Sequence, residues 1–127
     1  MRKRSRQDPR LTRSTQIALS FPGTRCERWE EHAVFLVRKK IFGYFLNNHH
    51  GDGIVSVAGK ALPGDNTALV AAQPDRFYLP AYVGPRGWVG LRLDTGKIDW
   101  DEVAELLRGS YLLVSPKKLA EQLQVRD

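Results

Sequence analysis

From Trp88 onward, apolar and polar positions alternate. Val89, Leu91 and Leu93 share one side, and Trp88, Gly90 and Arg92 share the other, which predicts a strand with one buried face. Ala33 to Arg38 is apolar on both faces, Lys39-Lys40 breaks the run, and Ile41 to Leu46 resumes it. That spacing predicts a β-hairpin with a basic tip. A polar, glycine-rich connection from Asn47 to Gly53 leads to a third strand over Ile54 to Ala58. Helical spacing of Leu11, Thr15, Ala18 and Leu19 predicts a first helix over Leu11 to Ser20, closed by Pro22-Gly23, and Cys26 to Glu31 reads as a short turn anchored by Trp29. A helix is expected over Asn66 to Gln73 with Asp65 as its cap, stopped by Pro74, and a short strand over Phe77 to Leu79. Pro80 to Gly87 carries the prolines and glycines of a tight loop. Asp99 and Glu102 have the spacing of a capping box that opens the longest helix, to Val114, with an apolar stripe of Val103, Leu106, Leu107, Tyr111 and Val114. Ser115-Pro116 starts a last helix to Gln124.

The connections between the early strands are too short for crossover helices. The fold class expected is therefore α+β, an antiparallel sheet with helices packed on one side. A chain of 127 residues fits one domain with a core of its own. The division expected is a basic, disordered arm over residues 1–13 and a single domain over 14–127.

Charge changes this picture less than the net of +6 suggests. Residues 1–13 hold six basic side chains against Asp8, whereas the remainder holds 14 basic and 13 acidic residues. A basic arm is suited to counterion release from a polyanion, but the body is close to neutral. The single Cys26 cannot pair within the chain, which fits a reducing, cytoplasmic setting. No run approaches the length of a membrane span. A monomer is expected.

The candidate chemistry is one of binding. His49-His50 beside Asp52 invites a metal, but adjacent histidines on a loop need further ligands, and none stands at a metal-ligand spacing. Cys26 lies between Arg25 and Arg28, yet no histidine base is near it in sequence. No phosphate-binding glycine motif and no acid/base carboxylate pair is visible, so neither a cofactor, a metal nor a catalytic constellation is expected. What remains is a basic wing of Arg38, Lys39 and Lys40, and a pair of cations, Lys117 and Lys118, at the start of the last helix. Tyr82, Arg86, Trp88 and Arg92 have two readings: they line a recognition surface, or the aromatics pack and the arginines are solvated.

Several blocks together resemble one family. These are Leu19-Ser-Phe-Pro-Gly23, His32 to Arg38 with Lys40-Ile-Phe42, Gln73-Pro-Asp-Arg-Phe77, Tyr82 to Val89, Asp99 to Val103, and Ser110-Tyr111 through Pro116-Lys117-Lys118. In this order they are similar to the MmcQ/YjbR-like proteins over roughly residues 15–124. The resemblance implies a frataxin-like CyaY architecture with a double-wing arrangement, and a DNA-binding role by analogy of fold. The DNA contacts then expected are Arg38, Lys39, Lys40, Arg86, Trp88, Arg92, Lys117 and Lys118. The alternative is a small-ligand or protein-partner module using the Tyr82–Arg92 surface.

Overall fold

A computed structural model describes residues 7–126. Its elements run α1 (Pro9–Leu19), β1 (Thr24–Trp29), β2 (His32–Val37), β3 (Lys40–Asn47), β4 (Val55–Lys60), α2 (Asp65–Ala72), β5 (Phe77–Tyr78), β6 (Trp88–Arg92), α3 (Trp100–Val114) and α4 (Lys117–Arg126). The six strands form one sheet in the order β1-β2-β3-β4-β6-β5, every neighbour antiparallel. The expected α+β class is the one observed. Among the described residues, no helix is long and apolar enough to cross a membrane.

The helices cover one face. Phe35, Val37, Phe42, Phe45, Val57, Val89, Leu91 and Leu93 of the sheet pack there with Leu11, Val103, Leu107, Tyr111, Leu119 and Leu123. One interaction fixes α3 across the sheet: the buried Ser110 Oγ donates to the Phe42 carbonyl at 2.7 Å and accepts the Lys60 N–H at 2.8 Å. The Tyr111 hydroxyl donates to the Pro22 carbonyl at 2.6 Å, tying α3 to the end of α1.

The other face has no α-helix among the described residues. Leu46, Ala58 and Trp88 form a small second cluster there with Ile41, Tyr44 and Val83. The alternation expected in β6 is present, and its bare position is filled: the Tyr78 ring lies over Gly90, where a Cβ would come within 2.3 Å of it. The Tyr78 hydroxyl and the buried Ser56 hydroxyl are hydrogen-bonded at 2.7 Å.

Five expectations are corrected. The chain is helical from Pro9, with the Asp8 carboxylate accepting the Arg10 N–H at 2.9 Å, so Arg10 and Arg13 belong to the folded body and not to a disordered arm. The rest of that arm, residues 1–6, lies outside the described residues. Cys26 to Glu31 is not a turn: Thr24–Trp29 is an edge strand, and Trp29 is 64% exposed instead of anchoring anything. The hairpin turns on Arg38-Lys39, with Arg38 at φ 57°, and Lys40 is already in β3. The residue before α2 is Gly64 at φ 87°, so Asp65 is its first residue and not its cap. In α3, Asp99 caps the N–H groups of Asp101 and Glu102, while the Glu102 carboxylate turns away to pair with Arg76.

Gly90→Ala is expected to destabilise the protein by about 1–3 kcal/mol through overpacking, read as a lower midpoint in urea unfolding. Combined with Tyr78→Val the loss should be smaller than the two single losses added, because the ring that collides is gone. Strictly additive losses would show that the ring is not what excludes a side chain there.

Candidate nucleic-acid interface and the open face of the sheet

The sheet register sorts charge to opposite ends. Thr24 pairs with Val37, Val37 with Lys40, Gly43 with Gly59, and Lys60 with Trp88, so the start of β1, the β2–β3 turn, the end of β4 and the start of β6 lie at one end. That end carries Arg25, Arg38, Lys39, Lys40, Lys60 and Arg86, all exposed except the half-buried Lys60. α4 joins it, since Leu119 packs over Gly23, immediately before β1, which brings the exposed Lys117 and Lys118 to the same end. Among the described residues only Arg25 of this set has a carboxylate at ion-pair distance, Glu27 at 3.5 Å. A shallow groove of about 570 Å³ between the start of α2 and residues 84–87 is lined by Lys60 and Arg86.

The opposite end is acidic, with Glu30, Glu31, Asp52, Asp94, Asp99, Asp101 and Glu102. Three of its cations are ion-paired, Arg10 with Asp8 at 2.8 Å, Arg76 with Glu102, and Arg92 with Asp94 at 3.0 Å, while Arg28 donates to Gln7 and to the Glu30 carbonyl and Lys97 is exposed. Burial works against the Asp94 charge, but the Arg92 guanidinium and the Val55 N–H overcome it and hold the carboxyl below its ordinary value. The Asp8 carboxyl is held low chiefly by its hydrogen bond to Arg10.

The eight residues expected to contact DNA therefore divide. Arg38, Lys39, Lys40, Arg86, Lys117 and Lys118 stand at one end. Arg92 stands at the other end, neutralised by Asp94. Trp88 is at the cationic end but only 7% exposed; its ring packs on Tyr44 at 5.2 Å, so it offers no stacking face to a base. The Tyr82–Arg92 surface is not continuous, because Tyr78 fills the Gly90 notch between Trp88 and Arg92. Arg25 and Lys60 were missed. Their alternating positions on β1 and β4 carried the signal, but only the register shows that both strand ends meet the hairpin tip.

Burial pushes the Cys26 thiol up, and Arg28 offsets this only in part, so nothing there favours a thiolate. No group of three His, Cys, Asp or Glu residues is placed to hold a metal ion among the described residues. The open face instead carries a cleft of about 260 Å³ between Trp29, Tyr44 and Tyr82.

A six-stranded antiparallel sheet, helices on one face, and a cationic end built from strand termini place the protein among α+β single-sheet domains with a charged edge. The chain belongs to the YjbR family, whose model matches residues 19–113. No curated protein matches it. Among solved structures it is similar to the crystal structure of Deinococcus radiodurans protein DR2400, a DUF419-domain protein, at 23% identity and a TM-score of 0.69 over 94% of this chain and 92% of that one. At that identity the likeness speaks for the fold.

The Asp94 site gives a pH prediction. A carboxyl with a depressed folded pKa stabilises above its ordinary value of 3.8, and the stabilisation is lost as pH falls through the folded pKa. Asp94→Asn is expected to lose about 1–2 kcal/mol at neutral pH. Chemical unfolding at a series of pH values should show that gap closing below the ordinary carboxylate range; a gap independent of pH would exclude the ionised carboxylate as its source.

Proposed function

We propose that the protein binds DNA, holding the phosphate backbone with the end of the sheet that carries Arg25, Arg38, Lys39, Lys40, Lys60, Arg86, Lys117 and Lys118. The observation that carries this reading is the segregation of charge. The body is almost neutral in sum, yet the register gathers eight basic residues at one end, against Glu27 and Asp65 there, and most of the clustered acids at the other. A patch of that kind releases counterions from a polyanion, while paired cations such as Arg92 contribute little. The β2–β3 tip, with three successive basic residues, is shaped to reach along a backbone or into a groove. Among the described residues no aromatic side chain is presented at that end for base stacking, since Trp88 is turned under Val83 and Tyr44. Binding is therefore expected to depend on phosphate and shape more than on base identity. The arginine-rich residues before Gln7 add charge to this reading without being its basis.

Fluorescence anisotropy with a labelled short duplex tests it. A chain beginning at Gln7 should still bind at low salt, with affinity falling as salt rises. Replacing Arg38, Lys39 and Lys40 with Ser in that shortened chain should reduce the salt slope by about 0.9 for each phosphate no longer neutralised, and weaken binding at least about tenfold at low salt. Circular dichroism should show the fold unchanged. Absence of binding by the shortened chain, or equal binding by the triple variant, would overturn the proposal.

A further inference from the structure

The cleft on the helix-free face lies away from the cationic end and has a chemistry of its own. Its floor is the sheet, at Val34, Tyr44 and Leu46, and its walls are Trp29 on one side and the segment from Tyr78 to Val83 on the other. The loop after β3 closes it with His49 and Asp52. Folding brings all three histidines of the chain to this place: His32 and His49 have ring centroids 5.4 Å apart, and His49 and His50 4.0 Å. His50 in turn meets the Tyr82 ring edge-on at 5.0 Å.

The backbone is bent to achieve this. Five residues other than glycine have positive φ among the described residues, and four of them sit in or beside the cleft: Glu30 at 49°, Asn48 at 55°, His50 at 57° and Tyr82 at 70°. A left-handed conformation is unfavourable for bulky side chains, and such positions concentrate at functional sites. Here two of the four are aromatic rings that touch each other at the mouth. Tyr82 remains 77% exposed and Trp29 64% exposed, so the strain does not serve to bury them.

The lining decides which ligand fits. It includes no lysine or arginine, and its one charged residue is Asp52, with Glu30 and Glu31 just outside. An anion finds no partner there. The His32 Nε2 is already hydrogen-bonded to the Asn47 carbonyl at 3.0 Å, and no set of three donors converges on a metal among the described residues. The Asp52 carboxylate accepts the Ile54 N–H at 2.9 Å, but among the described residues no cation stands at ion-pair distance, so an uncharged apolar body leaves its charge unneutralised. Electron-rich ring faces beside one carboxylate are the surroundings that favour a desolvated cation.

We infer that this cleft is a binding site for a small organic cation, a quaternary or alkylated ammonium group, held against Trp29, Tyr44 and Tyr82 with Asp52 supplying the opposite charge. The volume suits a ligand smaller than most drug-sized molecules. Binding carries a pH dependence. The groups facing the ligand are His32, His49, His50, Asp52 and the Tyr44, Tyr78 and Tyr82 hydroxyls; Arg86 acts on Tyr44 and Arg92, held by Asp94, acts on Tyr78 from outside the lining. Burial, with the neighbouring His50 and His32, lowers the His49 pKa from its ordinary 6.5 and so favours its neutral ring. Acidification far enough to charge the His49 ring opposes a cation.

Choline is the probe, followed by calorimetry and by tryptophan fluorescence on the full chain. Choline should bind saturably above pH 7, at least about tenfold more tightly than its uncharged tert-butyl isostere, and benzoate should not bind. Tyr82→Ala and Asp52→Asn should each weaken choline about three- to tenfold while leaving the melting temperature and duplex DNA binding as in the parent. Affinity should fall as the pH drops below 6.5, the ordinary histidine value. The inference is overturned if choline does not bind, if the isostere or benzoate binds as well as choline, or if neither variant changes the affinity. None of these outcomes bears on the DNA reading, which concerns the other end of the sheet.

Discussion

A sheet of six strands has two faces to cover, and this chain supplies helices for one. The helix side is closed by α1, α3 and α4 with apolar side chains at close packing, and Ser110 clamps α3 to β3 and β4 through backbone groups on both. The open side has to be covered by what the strands and one loop can provide. Trp88 lies on Tyr44, Tyr78 lies on Gly90, and residues 79–87 run over the top. Asn66 holds that loop in place: its buried side-chain amide donates to the Gly84 carbonyl at 2.9 Å and to the Trp88 carbonyl at 3.1 Å. Without a helix to seal the rest, the cover ends at Tyr82, and the cleft is the part of the face left open.

The same antiparallel register that stacks the strands also sorts the charges. A hairpin turn, the end of one strand and the starts of two others must meet at one end of such a sheet, so basic residues far apart in sequence become neighbours. Arg25 and Arg38 are joined directly, the Arg25 guanidinium donating to the Arg38 carbonyl at 2.5 Å. At the other end the carboxylates serve structure: Asp8 caps α1, Asp99 caps α3, and Asp94 accepts the Val55 N–H. The polarity of the molecule follows from helix starts and strand ends lying where their caps are needed.

How much of this the sequence disclosed depended on whether the signal was local. The β6 alternation, the β2–β3 hairpin and the stripe of α3 are set by neighbours a few residues apart, and they were legible. β1 was not, because an edge strand buries little: Arg25, Glu27, Arg28 and Trp29 are exposed and only Thr24 and Cys26 turn inward, which leaves no apolar alternation to read. Trp88 was hard to place for a related reason. Alternation assigns its side of β6, but nothing local says that this side faces Tyr44 across the sheet and not solvent. The grouping of His32 with His49 and His50 depends on the β2–β3 pairing and the turn after β3, and no spacing in the chain announces it.

The two surfaces therefore differ in how they came to exist. At the cationic end Arg38 is the one residue other than glycine with positive φ among the described residues; the character of that end is additive, and removing one lysine leaves the others in place. The cleft is different. It depends on several left-handed residues, on a glycine that admits the Tyr78 ring, and on a loop pinned by one asparagine. A surface shaped by that many separate constraints suits recognition of one small, defined group. A patch of flexible basic side chains suits a long, repetitive polyanion. The segment from Tyr82 to Arg86 borders both, with an aromatic ring at the cleft mouth and a guanidinium at the cationic groove, and Asn66 ties its middle, at Gly84, to the start of β6, at Trp88.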